Sequence, residues 1–195
     1  RIMIFLMTGL FACLFAAELN TILLHAFDDN MYYVTTTFTP VVEEFIKALP
    51  ILFYAVMVSD DRRRLITSAY ALGVGFALME NIIDLMQNIS HVTIFWALIR
   101  SLGSGLVHGL CTVMVGFGIS YIKKQRKLSR TGTYALLSAA IIYHAIYNLL
   151  VQSSWQYAGF LLPAITYVPV VLLLHRYVKT HTEADPLKTA DGVNG

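Results

Sequence analysis

This sequence is short of charge. Only 13% of its 195 residues are Asp, Glu, Lys or Arg, and 57% are apolar, whereas a soluble domain carries about 25% charged residues. The shortage excludes an ordinary water-soluble globule. Cysteine is scarce too. Cys13 and Cys111 both fall in apolar runs, which excludes a disulfide framework. Net charge is only +2 and no nucleic-acid motif is present, so no nucleic-acid partner is expected. The zinc-protease signature H-E-x-x-H is absent, and so is any internal repeat.

What is present is a series of long apolar runs joined by short polar stretches. Crossing a bilayer takes about 20 apolar residues in a helix. Such runs fall at 2–25, 40–58, 65–86, 94–122, 132–152 and 157–178. The fold predicted is all-α: a polytopic membrane bundle of about six transmembrane helices. It forms one domain over 1–178, followed by a polar, disordered tail over 179–195. The first run lacks a clear small-x-small cleavage site and reads as a retained span rather than a signal peptide. Pro40 opens the second run, where a missing N–H costs nothing. Pro50, Pro163 and Pro169 lie inside runs and predict kinks.

Basic residues give the orientation. Arg1 precedes the first run. Arg62, Arg63 and Arg64 follow the second, and Lys123, Lys124, Arg126, Lys127 and Arg130 follow the fourth. Arg176 lies at the end of the sixth, and Lys179 and Lys188 follow it. The alternate loops, at 26–39, 87–93 and 153–156, hold no Lys or Arg. The alternation places both termini in the cytoplasm.

Against this background a few polar residues stand out, because a charge inside hydrocarbon costs about 2.5–3.5 kcal/mol on insertion scales. Glu43, Glu44 and Lys47 lie early in the second run and Glu80 late in the third. Arg100 and His108 lie in the fourth, and His144 and Asn148 in the fifth. With a rise of 1.5 Å per residue, all but Lys47 and the deeper His108 fall within roughly 12 Å of the outer face. Spacings of three or four put residues on one helix face. Arg100, Ser104, His108 and Thr112 form such a stripe, and His144 pairs with Asn148. Gly105 and Gly109, beside His108, make a G-x-x-x-G that predicts close helix approach. Gly73 and Gly75 precede Glu80 in the same way.

Taken singly, each residue has a plain structural reading. A lone intramembrane His or Asn is usually an interhelical hydrogen-bonding group, and a Glu near a span end usually snorkels to the interface. Lys47 reads as a counter-charge for Glu43 or Glu44, and Arg100 as the partner of Glu80 or a nearby acid. Asp84, Glu18 and His25 read as interfacial. Tyr32, Tyr33, Trp96, Trp155 and Tyr157 read as interface anchors. Asn88-Ile89-Ser90 fits a glycosylation sequon. Polar groups from four helices at one level are better explained by one shared site.

These residues fall into ordered motifs. Glu43-Glu44-Phe45-Ile46-Lys47 reads E-E-x-x-K. Phe76 through Glu80-Asn81 reads F-x-x-x-E-N, with Gly75 before it. Arg100, His108-Gly109, Thr112 and Gly116 follow on one helix, and His144 through Asn148 reads H-x-x-x-N. In this order they resemble the PrsW family of intramembrane proteases and, more distantly, the CAAX prenyl endopeptidase and bacteriocin-processing families. The resemblance covers about residues 40–150. It implies cleavage of membrane-anchored protein substrates, such as anti-sigma-factor-like regulators, on the extracytoplasmic side of the bilayer. The implied location is a bacterial or archaeal plasma membrane.

The resemblance also implies roles. Amide hydrolysis needs a water, a base and a donor for the oxyanion. The Glu43–Glu44 pair would be the base and His108 would position the water. His144 and Asn148 would face the carbonyl oxygen, and Glu80 would orient His108 or share its proton. Lys47, Asn81 and Arg100 would support them. No cofactor is required in this favoured scheme. Zinc is the alternative, with Glu80, His108 and His144 as ligands and a Glu as base. Two other classes remain open: a proton-coupled transporter or channel, since Glu and His also build proton relays, and a non-catalytic membrane scaffold.

Overall fold

The computed structural model describes residues 1–89, 93–122 and 126–183. Lys123, Lys124, Lys188 and the sequon's Ser90 lie outside the described residues. The described residues form seven helices in order: α1 (Ile2–Ala26), α2 (Met31–Thr37), α3 (Thr39–Met57), α4 (Arg62–Asn88), α5 (Ile94–Ile119), α6 (Arg126–Val151) and α7 (Gln156–Glu183). Among the described residues there is no strand. Six of these helices match the six apolar runs to within a few residues. Helix α7 continues five residues into the stretch read as a tail.

Among the described residues, four segments are long and apolar enough to cross a membrane: α1, α4, α5 and Arg130–Val151 of α6. Helix α1 shows how such a helix packs. Its inward stripe, Phe5, Gly9, Ala12, Cys13 and Ala16, recurs at helical spacing and is buried. Its other side exposes Met3, Ile4, Phe11 and Phe15, a face suited to lipid. Small inward residues let backbones approach. A Cβ on Gly9 would run into the carbonyl of Leu72 on α4, and one on Gly75 into the carbonyl of Leu6 on α1.

Helix α3 is less apolar because it carries Glu43, Glu44 and Lys47, yet all three are buried. They turn into the bundle, where α3 packs on α5 and α6. Pro40 sits in its first turn and Pro50 in its interior; Pro163 and Pro169 lie inside α7. Helix α5 is the hub. It packs on α3, α4, α6 and α7, and its buried side includes Ser104, His108, Cys111 and Thr112. Both cysteines are buried and unbridged.

Local chemistry sets the ends. Asp61 caps α4 by accepting from the Arg64 N–H at 2.7 Å, so Arg62, Arg63 and Arg64 form the first turn of α4 rather than a loop. The Arg62 guanidinium lies over the rings of Phe117 and Tyr121. Thr93 caps α5 through the Trp96 N–H at 3.2 Å.

The stretch 26–39 holds a helix where sequence reading sees only a loop. Asp28 and Asp29 turn the chain with φ of 55° and 56°, a left-handed conformation that Asp tolerates better than most residues. Asn30 then caps α2 through the Tyr33 N–H at 3.1 Å. The rings of Phe27 and Phe38 stack at 4.6 Å, with Tyr33 edge-on to both. Tyr33 thus takes part in an aromatic knot with Phe27 and Phe38.

Candidate active site

Helices α3, α4, α5 and α6 meet around one set of polar side chains. Glu44, Lys47 and His144 are 0% exposed, His108 1% and Glu43 5%. Charged side chains are almost never buried so completely unless they are paired, and pairing is what the site provides.

The pairs form a chain. Ser104 on α5 donates its hydroxyl to Glu80 Oε2 on α4 at 2.7 Å. The same oxygen lies 2.9 Å from His108 Nε2. On the other side of that ring, Nδ1 lies 2.7 Å from Lys47 Nζ. Lys47 donates to Glu44 Oε1 at 2.6 Å, and Glu44 Oε1 lies 2.9 Å from His144 Nδ1. The sequence therefore runs Ser104, Glu80, His108, Lys47, Glu44, His144, across all four helices. Phe76 seals one side, with its ring 5.1 Å from that of His108 and 4.8 Å from Lys47 Nζ. The two imidazoles meet edge to face at 4.8 Å.

Glycine makes the α4–α5 part possible. A Cβ on Gly73 would strike the carbonyl of His108, so the α4 backbone touches α5 at His108 itself, two turns before Glu80 on α4. The G-x-x-x-G of α5 is only half used. Gly109 lies against the ring of Tyr70, but Gly105 faces open space and mediates no close approach.

Three buried side-chain atoms of this cluster lack a hydrogen-bond partner: Glu43 Oε2, Glu44 Oε2 and His144 Nε2. Glu43 Oε2 lies 3.8 Å from His144 Nε2 and 4.0 Å from His108 Nδ1. These separations exceed a hydrogen bond and suit a small bridging molecule.

The remaining sequence candidates lie around this core. Asn148 donates through Nδ2 to the backbone carbonyl of Thr35 at 3.1 Å, tying α6 to the end of α2. Arg100 does not reach Glu80. It pairs with the carboxylate of Asp84 and donates to Asn81 Oδ1 at 2.9 Å. Asp84 is thus an ion-pair partner, not merely an interfacial acid; its place one turn after Glu80 was the available signal. Ser104 and Phe76 were visible in the stripe and the motif, but nothing in the sequence gave their contacts. Thr35 takes part through its backbone, which leaves no side-chain signature.

Residues 1–174 match the family described as PrsW family intramembrane metalloprotease. The chain belongs to the PrsW family. No curated protein and no solved structure matches it. A PrsW protein is an integral membrane peptide hydrolase, and its substrate is a protein in the membrane.

The PrsW description names a metal, which the site can be tested against. Among the described residues, Glu43, His108 and His144 offer ligand atoms within 4.8 Å of one another. Glu80, the third ligand expected from sequence, sits instead on the far nitrogen of His108. A catalytic zinc takes three protein ligands. Of the donors of Glu43, His108 and His144, Glu43 Oε2 and His144 Nε2 are unpartnered, while His108 Nδ1 has Lys47 Nζ seated against it. In this arrangement the donors do not fit a metal.

Proposed function

We propose that this PrsW protein is an endopeptidase that cleaves membrane-anchored proteins near the extracytoplasmic face, using water activated by Glu43. The observation that carries this reading is the pair of unpartnered atoms, Glu43 Oε2 and His144 Nε2, 3.8 Å apart in a buried cluster.

Glu44 accepts from His144 Nδ1, so Nε2 presents a lone pair. A water lying between Nε2 and Glu43 Oε2 donates one hydrogen to each. Its oxygen lone pair is then directed at a substrate carbonyl. As the oxygen attacks the carbonyl carbon, Glu43 takes its proton. The C–N bond breaks and the proton passes to the departing amine. The second N–H of Asn148 Nδ2 donates to the carbonyl oxygen as charge gathers there. General-base assistance of this kind contributes about 10²–10⁴-fold. Glu44 and Lys47 hold His144 and His108 in place. No step runs through a metal.

The orientation follows from the basic residues. Helices α1, α3, α4, α5, α6 and α7 form six crossings, with Arg62, Arg63 and Arg64 at the cytoplasmic start of α4. The site then lies toward the outer leaflet, with α2 beside it through the Asn148–Thr35 bond. A membrane-anchored regulator of the anti-sigma-factor kind meets these requirements. An apolar groove between α3, α5 and α6, lined by Phe45, Leu49, Leu52, Ile119 and Leu137 among others, suits a substrate's apolar segment.

The test is cleavage of a single-span substrate co-reconstituted in liposomes. Wild type yields two fragments cut near the outer face, while Glu43→Gln and His144→Ala yield none. Normal cleavage by Glu43→Gln would sink the assignment.

A further inference from the structure

Lys47 is the most completely buried cation among the described residues, at 0% exposure. Its Nζ touches two acceptors, Glu44 Oε1 at 2.6 Å and His108 Nδ1 at 2.7 Å, above the ring of Phe76. His108 Nε2 faces the Glu80 carboxylate and donates to it. Nδ1 is then the bare nitrogen that accepts from Lys47. The network assigns His108 a single tautomer.

That bare lone pair is also the one a metal would use. Glu43 Oε2, His144 Nε2 and His108 Nδ1 converge, and each imidazole is backed by a carboxylate on its other nitrogen, Glu44 for His144 and Glu80 for His108. Carboxylate-backed imidazoles are the usual supports of metal-binding histidines. The cluster has the makings of a zinc site with one ligand already engaged. A divalent ion seated there would face the ammonium at close range in a low dielectric, where repulsion is many times that in water.

We propose that the Lys47 ammonium is the resident cation of this site. It fixes the tautomer of His108, balances Glu44, and keeps divalent metals out. The site is thus metal-like in its ligands and metal-free in its operation, and one side chain makes the difference. Replacing Lys47 by Met keeps length and apolar packing but removes the charge. It should turn Glu43, His108 and His144 into a binding site for zinc or cobalt. The consequence for catalysis rests on the peptidase reading above; metal binding does not.

The experiment uses purified full-length wild type, Lys47→Met and Lys47→Met/His144→Ala in detergent. Each is loaded with Co²⁺ or Zn²⁺, desalted and assayed for metal, with the cobalt visible spectrum recorded. The expected result is less than about a tenth of an equivalent for wild type, about one equivalent with a tetrahedral cobalt spectrum for Lys47→Met, and loss of both in the double variant. Stoichiometric metal in wild type, or a folded Lys47→Met protein that takes up none, overturns the proposal. If Lys47→Met does not fold, the ¹⁵N shifts of His108 in wild type decide. A bare Nδ1 supports the proposal and a protonated Nδ1 overturns it. Wild type that takes up no metal and cleaves nothing, with or without added metal, sinks the peptidase reading alone; wild type that cleaves only when loaded with metal sinks this inference alone.

Discussion

Glu44 and His144 are separated by 100 positions in the chain, yet Glu44 Oε1 lies 2.9 Å from His144 Nδ1. The same oxygen accepts from Lys47 at 2.6 Å. One carboxylate oxygen therefore ties α3 to α6 and neutralises a buried ammonium. Removing one partner of a buried pair costs about 3–5 kcal/mol, because the other is left uncompensated. Glu44→Ala should lower the thermal midpoint in detergent sharply and abolish cleavage with it. Lys47→Ala should weaken cleavage without abolishing it. The double variant Glu44→Gln/Lys47→Met should recover part of the lost stability, since no charge is then stranded. A double variant no more stable than Glu44→Ala would contradict this pairing.

Glu43 stands in a different position from its neighbour. Its Oε2 is buried and has no hydrogen-bond partner, so the folded state gains little from its charge. Glu43→Gln should leave the thermal midpoint unchanged or raise it, while kcat falls by at least about 10²-fold. The adjacent carboxylates thus separate by measurement: loss at Glu43 is functional, and loss at Glu44 is structural as well. Equal destabilisation by the two substitutions would contradict the division of roles.

The Arg100–Asp84 pair is only partly buried, with side chains 20% and 28% exposed. Solvent screens such pairs, which are worth about 1 kcal/mol or less. A double-mutant cycle on Arg100→Gln and Asp84→Asn should give a coupling near that value, and cleavage should stay within about tenfold of wild type. A loss as deep as that of Glu43→Gln would place Arg100 in the chemistry itself.

The distribution of these residues explains how far the sequence could be read. Hydropathy located the long helices, and among the described residues four of them carry an apolar run long enough to cross lipid, a run that lipid demands whatever the tertiary packing. The convergence of Glu43, Glu44, Glu80, His108 and His144 was legible too, since charges on several spans need one another's company. Which carboxylate meets which imidazole was not legible. A few tens of degrees of helix rotation decide whether Glu80 or Glu43 faces a given nitrogen of His108, and no spacing rule carries that information. Helix α2 was missed because its stability lies in the Phe27–Tyr33–Phe38 knot and the Asn148 bond to a backbone carbonyl, neither of which leaves a periodic signal.

Glycine gives the sharpest contrast between pattern and structure. Gly105 and Gly109 fit a helix-packing motif, yet a Cβ on Gly105 meets nothing within 4 Å. Gly73, which the sequence sets before Glu80 in the same way, does mediate a close approach, since a Cβ there runs into the carbonyl of His108. Gly105→Ala should therefore be tolerated and gain up to about 1 kcal/mol from helix propensity. Gly73→Ala should force α4 away from α5. The Glu80–His108 bond spans that junction, so the substitution should lower both the thermal midpoint and the cleavage rate. Thermal unfolding in detergent and cleavage in liposomes, measured on both variants, check the contrast. A harmless Gly73→Ala beside a damaging Gly105→Ala would mean that the α4–α5 interface, and with it the placement of His108, is built differently.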